Sequence, residues 1–162
     1  MKVSIVMGSD SDWPILKPAY ELLKNFGIEA EVVVASAHRT PGKVKDLVTT
    51  AQERGVGAFI SAAGAAAHLG GVIASYTTLP VIGVPINATS LNGMDALLST
   101  VQMPSGIPVA TMAVNGAKNA AIFAAEIFAL SDKELAAKLT EYRSKMVEEV
   151  EKKAAHVEQQ LG

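Results

Sequence analysis

The chain has 162 residues, of which 49% are hydrophobic and 19% charged, with no cysteine and a formal net charge of -2. This length predicts one domain, and the composition excludes a disordered or collagen-like chain, a disulfide framework and any site built on a cysteine thiolate. The weak negative charge argues against a nucleic-acid partner, and the N-terminus lacks a signal peptide, so we expect a cytoplasmic protein.

Apolar strand candidates alternate with helix candidates along the chain. The strand candidates cover residues 3–7, 31–35, 58–61, 80–84 and 108–112. Each is followed by a loop and a helix candidate. Strands that are apolar along their whole length indicate a parallel sheet with helices on both faces. We therefore predict a doubly wound α/β fold in a single domain over residues 1–162, with the α/β core in residues 1–130.

The middle of the chain carries almost no charge. Between Arg54 and Lys118 the only charged side chain is Asp95, apart from the titratable His68. Glycines and prolines interrupt this stretch, so it holds no run of ~20 apolar residues that would span a membrane as a helix. A monomer of this size would expose part of such a segment, so we expect other subunits to cover some of it.

The last segment, residues 131–162, predicts one long amphipathic helix. Ser131 and Glu134 have the spacing of a capping box, and apolar residues follow at intervals of three or four. At ~1.5 Å per residue the helix would reach ~45 Å, slightly more than the ~40 Å width expected of a globule this size. We expect its end to overhang and to pack on neighbouring subunits, with a frayed tail as the alternative.

The first loop, residues 8–12, follows a strand and precedes a helix, where free backbone N–H groups and hydroxyls can hold a phosphate. We assign the hydroxyls of Ser9 and Ser11 to a phosphate. The carboxylate of Asp12 would repel a phosphate, so we assign it to ribose hydroxyls. The alternative is an ordinary turn in which Asp10 or Asp12 caps the helix.

The second loop, residues 36–41, places His38 beside Arg39. Histidine titrates near neutral pH and can act as a general acid or base, and arginine can clamp a phosphate through two hydrogen bonds. A purely structural hydrogen-bonding role for this histidine remains the alternative.

The third loop, residues 62–71, consists almost entirely of alanine and glycine around His68. Small residues allow backbone amides to approach a planar ligand or a small carboxylate, although a tightly packed turn is the alternative. No cluster of histidines and carboxylates has metal-ligand spacing, so we expect no metal and no cofactor. The three loops predict a site for a phosphorylated small molecule that uses histidine acid/base chemistry.

Five segments carry a resemblance to a known family. They are residues 8–13 (GSDSDW), 36–41 (SAHRTP), 66–69 (AAHL), 79–85 (LPVIGVP) and 101–104 (VQMP). In this order and spacing they resemble the class I PurE proteins of purine biosynthesis, the N5-carboxyaminoimidazole ribonucleotide mutases. The resemblance implies a flavodoxin-like three-layer α/β/α sandwich, an octamer, and active sites that each include more than one subunit.

The same resemblance implies roles for particular residues. The substrate carries a carbamate on the exocyclic nitrogen of 5-aminoimidazole ribonucleotide, and the product carries the carboxylate on ring carbon C4. His38 matches the catalytic acid and base. The matched substrate-binding positions are Ser9, Ser11, Asp12 and Arg39 for the ribose 5-phosphate, Ser36 in the histidine loop, and Gly64, Ala65 and His68 near the migrating carboxylate.

The chain departs from the usual family pattern at four positions. Ala62 and Ala65 stand where glycine is usual, Gly70 where proline is usual, and Gly42 where aspartate is common. Added methyl groups restrict positive φ and narrow a pocket, and the loss of a proline loosens a loop. We therefore expect an effect of the third loop on turnover, and from Gly42 only a weaker start to the next helix.

Two other functions stay open at this point. One is a carboxylase that adds free carbon dioxide to 5-aminoimidazole ribonucleotide, as class II relatives do. The other is a non-catalytic nucleotide-binding or flavin-binding module, for which Trp13 and Tyr20 are the aromatic residues nearest the first loop. The second alternative leaves the pairing of His38 with Arg39 unexplained.

Overall fold

The structure, a computed structural model, describes residues 1–161, so Gly162, the last residue of the predicted terminal helix, lies outside the described residues. The five strands are β1 (Lys2–Met7), β2 (Glu29–Val34), β3 (Val56–Gly64), β4 (Val81–Ile86) and β5 (Ala110–Thr111). The α-helices are α1 (Trp13–Asn25), α2 (Pro41–Thr49), α3 (Leu69–Ser75), α4 (Met94–Val101), α5 (Ala117–Ala129) and α6 (Lys133–Gln160). Short 3-10 turns cover Asp10–Asp12 and Gln52–Arg54.

The strands form one sheet in the order β2-β1-β3-β4-β5, and every pair is parallel. Helices α1 and α5 cover one face, and α6 packs on α5. Helices α2 and α3 cover the other face, where α4 contacts β4. This arrangement confirms the predicted flavodoxin-like three-layer α/β/α sandwich.

The alternation of side chains along β1 shows how the sheet is buried on both faces. Val3, Ile5 and Met7 point into the cluster beneath α1 and α5, whereas Val6 points into the cluster beneath α2 and α3. All four are at most 2% exposed. A strand buried on both faces requires apolar residues at successive positions, which is the pattern that indicated a parallel sheet.

The prediction for β5 was too long. Residues 108–112 were expected to form this strand, but only Ala110 and Thr111 pair with β4. Pro108 has no N–H to donate, and β5 lies at the edge of the sheet, where it has a neighbour on one side only. One further backbone hydrogen bond, from Met112 to Gly83, continues the contact at 2.8 Å.

The N-terminus of the long helix differs from the predicted capping box. Asp132 is the N-cap, and its carboxylate accepts from the N–H of Leu135 at 3.0 Å. Ser131 lies in the turn that follows α5, where its hydroxyl and its N–H both donate to the carbonyl of Phe128. The end of α5 therefore moves the cap one residue further along the chain, and Glu134 pairs instead with Lys138.

Only the first part of α6 packs on the rest of the chain. Leu135 and Leu139 are buried, and Tyr142 packs edge-on against Phe26 with ring centroids 5.6 Å apart. Residues 143–161 are exposed throughout. Within residues 1–161, no helix combines the length and the apolar character needed to cross a membrane.

Candidate active site

The loops at the carboxyl ends of the strands surround a cavity of about 340 Å³, a size within the range of small-ligand sites. Its lining includes eight of the nine predicted site residues: Ser9, Ser11, Asp12, Ser36, His38, Arg39, Gly64 and Ala65. The ninth, His68, hydrogen-bonds to His38 and lines an adjoining cavity beside α4. Parallel strands bring their carboxyl ends to one edge of the sheet, so these loops meet there.

The loop after β1 is folded on itself. Ser9 caps the 3-10 turn, since its hydroxyl accepts from the N–H of Ser11 at 3.3 Å, while Asp12 Oδ2 accepts from the N–H of Ser9 at 3.3 Å. The two serine hydroxyls lie 2.9 Å apart. Neither predicted aspartate caps α1: Asp12 occupies the N-cap position but makes no side-chain bond to that helix.

Asp12 is 6% exposed although it carries a carboxylate. Burial raises the pKa of Asp12, and the bonds from Ser9 and Ser11 offset this only in part. The carboxylate keeps acceptor capacity for a ligand, because the N–H of Ser9 bonds to only one of its oxygens, Oδ2.

Arg39 ties the first two loops together. Its Nη2 atom donates to the carbonyl of Gly8 at 3.0 Å, and its backbone N–H donates to the hydroxyl of Ser36 at 3.2 Å. A further bond from Thr40 Oγ1 to the carbonyl of Ser36 closes the turn. The guanidinium is exposed and is the one cation in the described lining of the cavity, which makes it the group there that can neutralise a phosphate.

His38 and His68 form a direct pair across two loops. Nε2 of His38 lies 2.9 Å from Nδ1 of His68, and the two rings are edge-on with centroids 5.0 Å apart. One ring must donate and the other accept, so this bond holds a single proton between the two nitrogens. The pair therefore fixes the orientation of the His38 ring.

Small residues form the remaining wall of the cavity. Gly64 ends β3, and a Cβ atom there would lie 2.6 Å from Cβ of Ala88, which is too close for any side chain. Ala65 follows with a φ of 54°. The methyl group of an alanine disfavours a positive φ, so this is a position where the change from glycine to alanine matters.

Ala88 also lines the cavity, and sequence reasoning did not identify it. It follows β4, and its methyl group has no chemical signature that would single it out. The rule that every loop after a parallel strand borders the ligand site would have included it.

A larger groove of about 780 Å³ lies at the amino ends of β4 and β5, between Tyr76 and Pro108. Its described lining contains no acidic or basic side chain. Ligands of open α/β sheets bind at the opposite edge, so the smaller cavity with His38 and Arg39 is the candidate site.

Two further features of the site concern metals and aromatic rings. Among residues 1–161, no group of three or more His, Cys, Asp or Glu side chains is arranged to hold a metal ion.

Trp13 and Tyr20 pack against each other with ring centroids 5.9 Å apart, and the described lining of the cavity contains no Trp, Tyr or Phe. The aromatic residues considered for flavin stacking therefore contribute to the packing of α1.

Comparison with known proteins identifies related chains. Residues 2–149 match the family model described as AIR carboxylase. The N5-carboxyaminoimidazole ribonucleotide mutase of Thermotoga maritima is 52% identical over 98% of this chain and 92% of that protein, and the mutase of Methanocaldococcus jannaschii is 55% identical over 91% and 92%. A crystal structure of Treponema denticola PurE superposes with a TM-score of 0.83 at 32% identity, covering 93% of this chain and 94% of that one.

Proposed function

Because the chain belongs to the AIR carboxylase family, we propose that it isomerises N5-carboxyaminoimidazole ribonucleotide to 4-carboxy-5-aminoimidazole ribonucleotide in purine biosynthesis. The observation that carries this proposal is the cavity that joins His38 and Arg39 to a wall of alanine and glycine. The mutases of Thermotoga maritima and Methanocaldococcus jannaschii, each more than half identical in sequence, support it.

The polar side of the cavity would hold the ribose 5-phosphate. The exposed guanidinium of Arg39 would supply charge and paired donors, while Ser9, Ser11 and Ser36 would supply hydroxyls. Asp12 would accept from ribose hydroxyls, because a carboxylate beside a phosphate would be repelled.

His38 would move the proton that the isomerisation requires. It first gives a proton to the exocyclic nitrogen as the bond from that nitrogen to the carboxyl carbon breaks and carbon dioxide leaves. Ring carbon C4 then attacks carbon dioxide to form the new carbon–carbon bond, and neutral His38 removes the C4 proton to restore the aromatic ring. The C4 proton replaces the one that His38 gave to the exocyclic nitrogen, so His38 ends the cycle protonated as it began and no other reactant is needed.

The small-residue wall would keep carbon dioxide next to its acceptor. Carbon dioxide is uncharged and offers little to bind, so confinement by Gly64, Ala65 and Ala88 and exclusion of water matter more than any single contact. His68 would support the reaction by orienting His38 through their shared proton.

The proposal includes assembly and location. We place the chain in a homo-octamer in the cytoplasm, with the overhanging part of α6 packed on neighbouring subunits. The exposed side chains of α4 and of residues 143–161 support an interface, and the absence of cysteine fits a reducing compartment.

An isotope experiment tests the proposed reaction. Substrate with a labelled carbamate is generated in situ and the enzyme acts in excess unlabelled bicarbonate. Retention of label in the C4 carboxylate above the uncatalysed background is expected for direct transfer. Product in which the label has fallen to the bulk value would instead establish a carboxylase that uses free carbon dioxide, and the absence of any turnover with a bound yellow chromophore would establish a flavin module.

Replacement of the proposed acid and base tests the role of His38. An amide can hydrogen-bond but cannot transfer a proton, so His38→Asn is expected to bind the nucleotide as the wild type does and to lose about 10²- to 10⁴-fold in turnover. Binding is measured by calorimetry with 5-aminoimidazole ribonucleotide and turnover under saturating substrate. Wild-type turnover in this variant would eliminate the assigned role.

A further inference from the structure

The loop that connects β4 to α4, residues 87–93, determines where Ala88 lies. Ile86, the last residue of β4, is in register with Gly64 at the end of β3. Two residues later, Cβ of Ala88 occupies the space next to Gly64, 2.6 Å from the position that a Cβ on Gly64 would take. A small movement of this loop would therefore open the wall of the cavity between Gly64 and Ala88.

Asn115 is not part of this loop, but its hydrogen bonds hold the start of the loop in place. It lies between β5 and α5 with a φ of 58°. Its N–H donates to the carbonyl of Pro85 at 2.8 Å, and its Oδ1 accepts from the N–H of Asn87 at 3.0 Å. A single residue thus bonds to the backbone on both sides of Ile86, immediately before Ala88.

The far end of the loop is held independently. The hydroxyl of Thr89 donates to Asp95 at 2.8 Å and accepts from the N–H of Leu91 at 3.1 Å. Gly93 has a φ of 84°, and a Cβ there would lie 2.5 Å from Val114, so the loop closes against the residue before Asn115. With these contacts in place, the bond from Asn87 to Asn115 is the one that restrains the stretch containing Ala88.

We propose that Asn115 is a positioning residue, which holds Asn87 and thereby keeps Ala88 against Gly64 so that carbon dioxide stays in the cavity between its two bonds to substrate. This inference rests on the proposed function. Asparagine suits the position for two reasons: its side chain offers an oxygen acceptor, and asparagine tolerates the left-handed conformation better than most residues.

The test compares two variants that differ in one property. Asn115→Gly keeps the positive φ and loses the acceptor, whereas Asn115→Asp keeps an acceptor oxygen of the same shape. Each full-length variant converts substrate with a labelled carbamate in excess unlabelled bicarbonate, and the measured quantity is the fraction of product that carries bulk carbon dioxide. Enzyme concentrations are adjusted so that every variant forms product at the same rate, which keeps the uncatalysed loss of label the same in each reaction.

We expect this fraction to rise about fivefold in Asn115→Gly, which is the population change that corresponds to one typical hydrogen bond, and to return to the wild-type value in Asn115→Asp. Ala88→Gly removes the methyl group itself and should raise the fraction without any change at Asn115.

Wild-type label retention in both Asn115→Gly and Ala88→Gly would overturn the inference, even with a lower melting temperature, because a purely structural role would change stability alone. Dilution of the label already in the wild-type enzyme would overturn the proposed function together with the inference. The wild-type enzyme therefore tests the proposed function, and the variants test the inference about Asn115.

Discussion

Ala65 combines a side chain that carries a methyl group with a backbone conformation that favours glycine. Its φ of 54° lies in the left-handed region, which costs an alanine roughly 1–2 kcal/mol. We predict that Ala65→Gly raises the free energy of unfolding by about 1 kcal/mol, although glycine normally destabilises a folded chain. Thermal and denaturant unfolding measure this change.

Ala66 provides the matched control for Ala65. It is the next residue, it is also exposed, and its φ is not positive. Ala66→Gly should therefore lower stability by about 0.5–1 kcal/mol through the greater freedom of the unfolded chain. Equal changes in the two variants would show that the conformation of Ala65 carries no strain.

Asp12 gives a second prediction at the residue scale, with opposite effects on stability and binding. Because burial raises its pKa, the folded chain keeps the Asp12 proton to a higher pH than the unfolded chain. Stability therefore falls as the pH rises from the ordinary aspartate pKa through the raised one, and the full deficit is present above the raised pKa.

Asp12→Asn removes the buried charge and keeps an oxygen that can accept from Ser9. We expect a higher melting temperature than the wild type above the raised pKa, a gap that closes as the pH falls through that pKa, and weaker binding of 5-aminoimidazole ribonucleotide. Melting curves over a pH series and calorimetry measure the two effects. A stability gap that stays constant with pH would contradict the assignment to the Asp12 charge.

At the scale of elements, α4 approaches β4 closely because β4 carries a glycine. A Cβ on Gly83 would lie 2.9 Å from Val109 Cγ1 and would meet Thr100 Cγ2 at closer range. Thr100 is 5% exposed and its hydroxyl donates to the carbonyl of Ala96, so it has little room to move. We predict that Gly83→Ala destabilises the chain by about 1–3 kcal/mol.

Gly70→Ala is the control for the contact of α4 with β4. Gly70 is also buried, but a Cβ there has its nearest neighbours at 3.5 Å, which is ordinary contact. Alanine in the first turn of α3 should be neutral or should stabilise by up to about 1 kcal/mol. Denaturant unfolding of both variants checks the pair, and destabilisation of equal size would refute the argument from close approach.

The positions of the elements were largely predictable, and so was the edge of the sheet that carries the site. Strands such as β1 can be recognised in the sequence because they are apolar at successive positions. Parallel pairing of β1 with β2 then brings the loops that carry Ser9 and His38 together. The ends of elements were less predictable. The start of α6 depends on how the last turn of α5 uses Ser131, which is a contact between two elements and not a property of one segment.

The contacts between loops lay beyond prediction for a similar reason. The bond from Asn87 to Asn115 joins residues 28 positions apart, and both look like ordinary loop residues in the sequence. The sequence predicted that His38 and His68 belong to the same site. It did not predict their direct hydrogen bond, because that bond depends on how the two loops are folded relative to each other.

At the scale of the whole molecule, two apolar surfaces lie exposed on the single chain. On and before α4, Leu91, Met94, Leu98 and Val101 are 48–61% exposed at intervals of three and four residues. On α6 and at its C-cap, Met146, Val150, Val157 and Leu161 are 51–83% exposed at intervals of four and seven. Apolar surfaces of this kind mark contacts with other chains.

The surface on α4 borders the candidate site. Leu98 lines the same cavity of about 530 Å³ as His68. A subunit that covers α4 would therefore also cover the cavity that His68 lines. Assembly and activity should consequently be lost together when the interface is broken.

The outer half of α6 allows the assembly to be broken without disturbing the core, because residues 143–161 are exposed along their whole length. We predict that Val150→Glu combined with Val157→Glu lowers the mass in light scattering from that of the proposed octamer, about eight times the 16.9 kDa of one chain, towards that of one chain. The circular dichroism spectrum should stay that of a folded α/β protein, since neither side chain contributes to the buried core. Turnover should fall with the mass.

The matched control alters charge on the opposite side of the same helix. Glu148 and Lys152 each lie two residues from Val150, about 200° around the helix axis, and both are exposed. Glu148→Gln combined with Lys152→Gln should leave the mass and the turnover unchanged, because these side chains face away from the apolar stripe. An unchanged mass in the Val150 and Val157 variant would show that α6 overhangs into solvent. Dissociation in both variants would show that the helix itself, and not its apolar stripe, is what the assembly requires.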